Sequence, residues 1–190
     1  MRRVIKNSAS TIVSSSLKYP KNAAAILTAL LKEQKGLCAY TDDFIDMASM
    51  SLDVEHFNPD LKNTPKDNYD NWFAVSHQFN NEKRRNWKDY QPIMHPTDEA
   101  LEENIYYSGG YYLVKEDNIK ASNLYNFLRL DNPDLANDRI AYIKGLKELV
   151  ELYGDGINGL IAFLQRNITF IRFPRAIREE FGIDILGYIA

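Results

Sequence analysis

Cysteine is nearly missing from this chain: Cys38 is the only one in 190 residues. A single thiol cannot close an internal disulfide or furnish a four-cysteine metal site, which excludes stapled secreted scaffolds and cysteine-built zinc domains. Long apolar runs are missing as well. No stretch reaches the roughly 18 apolar residues needed to span a bilayer. The opening Met1-Arg-Arg-Val-Ile-Lys-Asn-Ser8 leads into a Ser/Thr-rich segment instead of the apolar core of a signal peptide. The expectation is a cytoplasmic protein without a membrane partner. Positive charge is not in excess either, because 23 Lys and Arg against 26 Asp and Glu leave a formal net charge of −3. Such a balance does not announce a nucleic-acid binder, nor does it exclude one, since phosphate contacts depend on local basic clusters.

What is present is enough apolar material for a core: 45% of residues are hydrophobic and 12% aromatic. That composition excludes a disordered chain, and the length suits one domain or a small core with an appended helical part. Residues 1–35 read as an N-terminal arm and helix, 36–90 as a core, and 91–190 as a hairpin and helical scaffold or partner-binding region. In the first part, residues 1–19 form an extended arm, with Val4 and Ile5 as a strand-like contact. Pro20 to Lys35 carries a helical stripe of Ala23, Ile26, Leu27, Leu30 and Leu31, with Gly36 as its C-cap. Leu37–Met47 and Ser51–His56 suit two antiparallel strands, although Asp42-Asp43 could instead form a turn. Residues 58–68, rich in proline, lysine and aspartate, read as a solvated loop, and 71–87 as helical at least in its later part.

Beyond residue 90, alternating aromatics flank Ser108-Gly-Gly110, a hairpin signal over 104–115. Helices are expected over 121–130, 133–153 with Asn132 as N-cap and Gly154 as stop, 156–167 and 173–181. No convergent set of reactive groups stands out there. The hairpin tyrosines at 106, 107, 111 and 112 serve packing or a partner, with base stacking a further option.

The chemistry concentrates between Asp53 and Lys83. Glu55 and His56 close a strand-like run, and Asn71, Asn80 and Lys83 follow, the last three separated by nine and three residues. A carboxylate beside a histidine, with an amide brought back by a loop and helix, can build a small metal site that activates water. Taken alone, a carboxylate–histidine neighbour pair is more often structural.

Cys38-Ala-Tyr-Thr41, Asp53-Val-Glu-His56, Asn71, Ser76, Phe79-Asn80 and Lys83 together resemble the HNH endonucleases of ββα-metal fold. The steps from Asn71 to Ser76, Phe79, Asn80 and Lys83 are five, three, one and three residues, as in the family string. The resemblance covers residues 36–83. The broader plan, including Phe127-Leu-Arg-Leu-Asp-Asn-Pro133, is similar to the PtuB-type nucleases that accompany an ATPase in Septu-like and retron-linked bacterial defence systems.

The resemblance implies an α+β fold in which a ββα-metal core sits among an N-terminal helix, an additional hairpin and a helical C-terminal part. It implies His56 as general base, Glu55 and Asn80 as ligands of Mg²⁺ or Mn²⁺, and Asn71 as the residue that holds the loop and orients His56. Glu55 is longer than the family's usual aspartate, and strict strand alternation would require a kink to bring it beside His56. Lys83, Arg84, Arg85 and Lys88 would bind phosphates of DNA; without the resemblance they are a solvated helix end. Thr41, Ser76 and Phe79 replace three of the family's zinc cysteines, so no structural zinc is expected, and Leu37, Tyr40, Trp72 and Phe79 would clamp the unit by packing. Cys38 reads as a small buried hydrophobe, His95 as a packing residue, and His77 as an exposed helix residue, with zinc binding alongside Cys38 a remote alternative.

The resemblance further implies a DNA endonuclease acting as effector beside a PtuA-like ATPase subunit. A non-catalytic DNA-binding or assembly module and an RNA or tRNA nuclease are the alternatives.

Overall fold

The computed structural model describes residues 1–189, apart from the side chain of Tyr153. Its N-terminal arm is threaded into the body instead of lying free. Val4 N–H donates to the Pro96 carbonyl at 3.0 Å. Lys6 donates to the carbonyls of Tyr69 (2.9 Å) and Trp72, with its ammonium 4.1 Å from the centre of the Phe73 ring. A single turn, α1 (Thr11–Ser14), is capped by the Ser10 hydroxyl. Helix α2 (Ala23–Glu33) starts three residues past Pro20 and buries Ile26 and Leu30. Its exit passes through Lys35 and Gly36 at φ 57 and 71. At Gly36 a side chain would meet the Phe44 ring at 3.1 Å, so both backbone and space favour glycine.

Strand β1 (Leu52–His56) pairs antiparallel with β2 (Trp72–Ser76), Glu55 opposite Phe73 and His56 opposite Trp72. Two expectations change here. The segment 37–47 is not the partner of β1: only one bridge, Leu37 to Phe44, forms there, and Asp42 turns the chain at φ 63. The partner is the run Trp72-Phe-Ala-Val75, the early part of a segment expected to be helical at least in its later part. All four of its residues are buried, so the run has no polar face to offer a half-exposed helix, whereas a strand covered on both sides suits it. Helix α3 (His77–Glu82) follows β2 without a loop, with Ser76 Oγ accepting from Phe79 N–H at 3.2 Å. The ladder runs unbroken to His56, with no interruption of pairing at Glu55.

After α4 (Leu101–Asn104), strands β3 (Ile105–Ser108) and β4 (Tyr111–Val114) form the expected hairpin. Gly109 and Gly110 sit at φ 53 and 95, the pair of left-handed residues that a two-residue turn of this twist needs. Helix α5 (Ile119–Phe127) starts and stops slightly earlier than expected. Helix α6 (Pro133–Tyr153) has the expected bounds, with Asn132 Oδ1 capping its start and Gly154 turning it off at φ 69. Helices α7 (Gly156–Arg166) and α8 (Pro174–Phe181) complete an α+β fold of eight helices and two separate two-stranded sheets among the described residues. No helix among them is long and apolar enough to cross a membrane.

The hydrophobic core does not divide at residue 90. One cluster runs from Met1 to Leu130, gathering Phe57, Phe73, Trp87, Phe127 and the inward side of the hairpin. A second, from Ile143 to Ile189, belongs to the last helices. Polar contacts tie the two. Arg172 grips Asp43 through both carboxylate oxygens (2.6 and 2.8 Å), and Phe173 N–H donates to the Asp42 carbonyl at 2.8 Å. Glu102 accepts from Arg3 N–H at 2.8 Å and pairs with Arg178.

Burial alone would push the Glu102 carboxyl up, but Arg3 N–H, Arg178 and Arg175 outweigh it and hold the carboxyl below its ordinary value. A depressed carboxylate contributes stability that is present above the unfolded-state value of 4.5 and is lost as pH falls through the folded value. Glu102→Gln should therefore lower the melting temperature at pH 7. The expected loss is about 1–2 kcal/mol after allowance for partial exposure, or roughly 2–8 °C for a chain of this size. Thermal melts followed by circular dichroism should show the gap from wild type closing as pH falls through the depressed folded value of Glu102, below which both side chains are neutral.

Candidate functional site

A cavity of about 450 Å³ opens between α2, the end of β1 and the end of α3. Tyr19, Ala23 and Leu27 form one wall, Asp53, Glu55 and His56 another, and Lys62, Asn80 and Lys83 complete it. Asp53 and Glu55 lie two apart on β1 and so share a face. Because α3 begins directly at the end of β2, it carries Asn80 back over β1, where Asn80 Nδ2–H donates to Asp53 Oδ2 at 2.8 Å. An ionised carboxylate only accepts, so the amide nitrogen must face Asp53 and the oxygen must point the other way. That oxygen, Asn80 Oδ1, is buried and has no hydrogen-bond partner.

Glu55 is buried in the same wall, and its Oε1 also lacks an aligned donor. The charge that meets it is the Lys83 ammonium, packed directly against Oε1, with the two side chains 6% and 14% exposed. Burial pushes Lys83 down to about 8, against the upward pull of Asp53. Two oxygens without an aligned donor, Glu55 Oε1 and Asn80 Oδ1, thus belong to residues that line one cavity, where the Lys83 ammonium meets the Glu55 carboxylate. Hard oxygen donors of this kind suit Mg²⁺ or Mn²⁺ better than zinc. Among the described residues no group of three or more His, Cys, Asp or Glu could hold a metal, so any bound ion would rely on the Asn80 carboxamide and on ligands from solution or substrate.

His56 closes the cavity from below Tyr19, whose ring stands edge-on at 4.4 Å between centres. Its Nε2 is buried and lies 3.1 Å from Asp67 Oδ2, close but not aligned as a hydrogen bond, with the two side chains only 4% and 5% exposed. Burial pushes His56 below its ordinary value, while Asp67 and the Val54 carbonyl pull it up and Lys62 pushes it down. Asp67 is held in turn through Oδ1, which accepts from Trp72 Nε1–H at 2.8 Å and Asn71 Nδ2–H at 3.0 Å. Asn71 also accepts from Asn58 N–H at 2.7 Å and donates to the Asn58 carbonyl at 3.1 Å. It therefore pins both ends of the 58–70 loop and reaches His56 through Asp67, not by a bond of its own.

The structure brings Glu55, His56, Asn80 and Lys83 to one cavity and sets Asn71 behind it. Lys83 is turned inward, contrary to the expectation of a surface phosphate contact: a buried carboxylate attracts the nearest cation. Arg84, Arg85 and Lys88 are exposed. Cys38 is buried, as are Leu37, Tyr40, Trp72 and Phe79. His77 is exposed, though its Nδ1 lies 2.9 Å from Asp53 Oδ2, and His95 packs at 5.0 Å against Phe57.

Sequence reasoning missed Asp53, Tyr19, Lys62 and Asp67. The position of Asp53, two before Glu55, was a usable signal. Asp67 carried none, since an aspartate among prolines and lysines reads as solvated loop. No protein-family model, no curated protein and no solved structure matches this chain.

Removing the Asn71 side chain leaves Asn58 N–H without its acceptor and frees one side of Asp67. Asn71→Ala should cost about 1–3 kcal/mol and open the 58–70 loop. Limited proteolysis is the check: cleavage between Asn58 and Asp70 should become fast in the variant and stay slow in wild type.

Proposed function

We propose that this chain is a metal-dependent phosphodiester hydrolase of HNH type, with the cavity at the end of β1 as its active site. The observation that carries the reading is the buried, unpartnered Asn80 Oδ1, turned away from Asp53, in the cavity that Glu55 and His56 also line. The order β1, β2, α3 and the spacing of Asn71, Asn80 and Lys83 support assigning these residues to a ββα-metal core. Glu55 and Asn80 would hold Mg²⁺ or Mn²⁺, an ion that, when bound, stabilises charge on a phosphate and its leaving oxygen. His56 takes a proton from water. Tyr19, edge-on to the ring, covers the histidine, and the exposed Arg84, Arg85 and Lys88 offer sequence-independent phosphate contacts.

DNA is the proposed substrate, and a PtuA-like ATPase the proposed partner within an anti-phage system. Both rest on the resemblance of the chain's plan. The net charge of −3 favours a partner, since it leaves this subunit little field of its own to hold DNA. A non-catalytic assembly module is the second reading, and one observation favours it: Lys83 already neutralises Glu55 without any metal.

Incubating supercoiled plasmid, single-stranded DNA and RNA with Mg²⁺ or Mn²⁺ separates these readings, with an ATPase partner added where one is encoded nearby. Wild type should nick plasmid, and His56→Ala should be slower by about 10²–10⁴, the share a positioned base supplies. Equal nicking by both proteins would mean a contaminant. Cleavage of RNA alone would reassign the substrate, and no cleavage of any nucleic acid would favour the assembly module.

A further inference from the structure

Two lysines line the cavity, and only one of them has a partner. Lys83 is committed to the Glu55 carboxylate. Asp53, the other carboxylate of the wall, accepts from Asn80 and lies against His77. Among the described residues Lys62 forms no ion pair, and its ammonium makes no hydrogen bond. That ammonium stands over the Tyr19 ring, 5.5 Å from its centre, and the same ring lies edge-on to His56.

The backbone that carries Lys62 is fixed. Asn58, held at both its N–H and its carbonyl by Asn71, accepts through Oδ1 from Asp60 N–H at 3.0 Å and so starts a single turn over Pro59–Leu61. Lys62 N–H closes that turn by donating to the Pro59 carbonyl at 3.1 Å. A half-buried ammonium without a counter-charge favours an anionic ligand, and lysine meets a phosphate as a point charge.

We propose that Lys62 is a substrate-binding residue whose ammonium takes a backbone phosphate of a nucleic-acid strand entering the cavity beside His56. The proposal rests on the reading of this cavity as a phosphodiester site. It adds a contact from a second element: Arg84, Arg85 and Lys88 follow α3, whereas Lys62 belongs to the 58–70 loop. A phosphate carries no sequence information, so Lys62 supplies affinity without reading bases, and that affinity must fall with salt.

Fluorescence anisotropy of labelled single-stranded and duplex oligonucleotides, titrated with full-length protein in EDTA at several salt concentrations, reads this contact apart from cleavage. Loss of one phosphate contact lowers the steepness of log affinity against log salt by about 0.7 for a single strand and about 0.9 for a duplex. Lys62→Gln should show that decrease, with low-salt affinity about tenfold weaker for every sequence tried. Lys62→Arg should restore both. Lys144→Gln removes the same charge from an exposed position on α6 and should behave as wild type.

A Lys62→Gln slope equal to that of wild type, an equal decrease in Lys144→Gln, or wild type that binds no nucleic acid at low salt overturns the proposal. If the slope falls as expected while wild type cuts no nucleic acid with Mg²⁺ or Mn²⁺, the Lys62 phosphate contact stands and the hydrolase reading falls by itself. If wild type cuts while the slope ignores Lys62, the hydrolase reading survives and the Lys62 contact does not.

Discussion

A buried carboxylate must be met by positive charge, and Glu55 is the one around which this site is arranged. Leaving an ionised carboxylate unpaired out of water costs several kcal/mol. Glu55 answers that cost with Lys83, brought there because α3 follows β2 without a loop and Lys83 is the residue after its end. The same short helix delivers Asn80, whose amide is turned by Asp53 so that its oxygen adds to the negative side of the cavity. Two acceptors and one ammonium make a local balance that a divalent ion bound by Glu55 and Asn80 would reset. A structure needing only stability could have filled this space with apolar side chains at no greater cost.

Packing and polar ties hold that arrangement in place. Phe57, the residue after His56, lies edge-on to the rings of Phe73, Trp87 and Phe127 at 6.2, 5.2 and 6.4 Å. These contacts lock the end of β1 to β2 and to α5, where a metal-clipped domain would use thiolates. Lys6, laid over Phe73 and bonded to the carbonyls of Tyr69 and Trp72, fixes the arm against the strand that positions His56. The C-terminal helices reach the same body through Asp42 and Asp43. Site and scaffold are thus joined through β1, β2 and the turn at Asp42.

The sequence disclosed the donors of the site better than its supports. That Glu55, His56 and Asn80 line one cavity was legible because their residue types and spacing suit chemistry that packing does not require. The hairpin at Gly109-Gly110 and the caps at Asn132 and Gly154 were legible because each signal is local. The partner of β1 was not, since a fully buried run such as Trp72–Val75 has no periodicity to separate strand from helix. Asp67 was hidden because its burial is decided by His56, eleven residues away, and by the closure of a loop that composition marks as solvated. Lys83 was misjudged for a similar reason: its direction follows from Glu55, on another element.

The central claim is that Glu55 and Asn80 form one site for a hard divalent ion. Titrating Mn²⁺ into wild type, Glu55→Gln and Asn80→Ala, with the free ion followed by electron paramagnetic resonance, tests it without recourse to activity. The account predicts one Mn²⁺ bound per wild-type chain, displaced by excess Mg²⁺, and binding weakened at least tenfold in each variant. Wild type that binds no Mn²⁺, or variants that bind it as tightly as wild type, would contradict it.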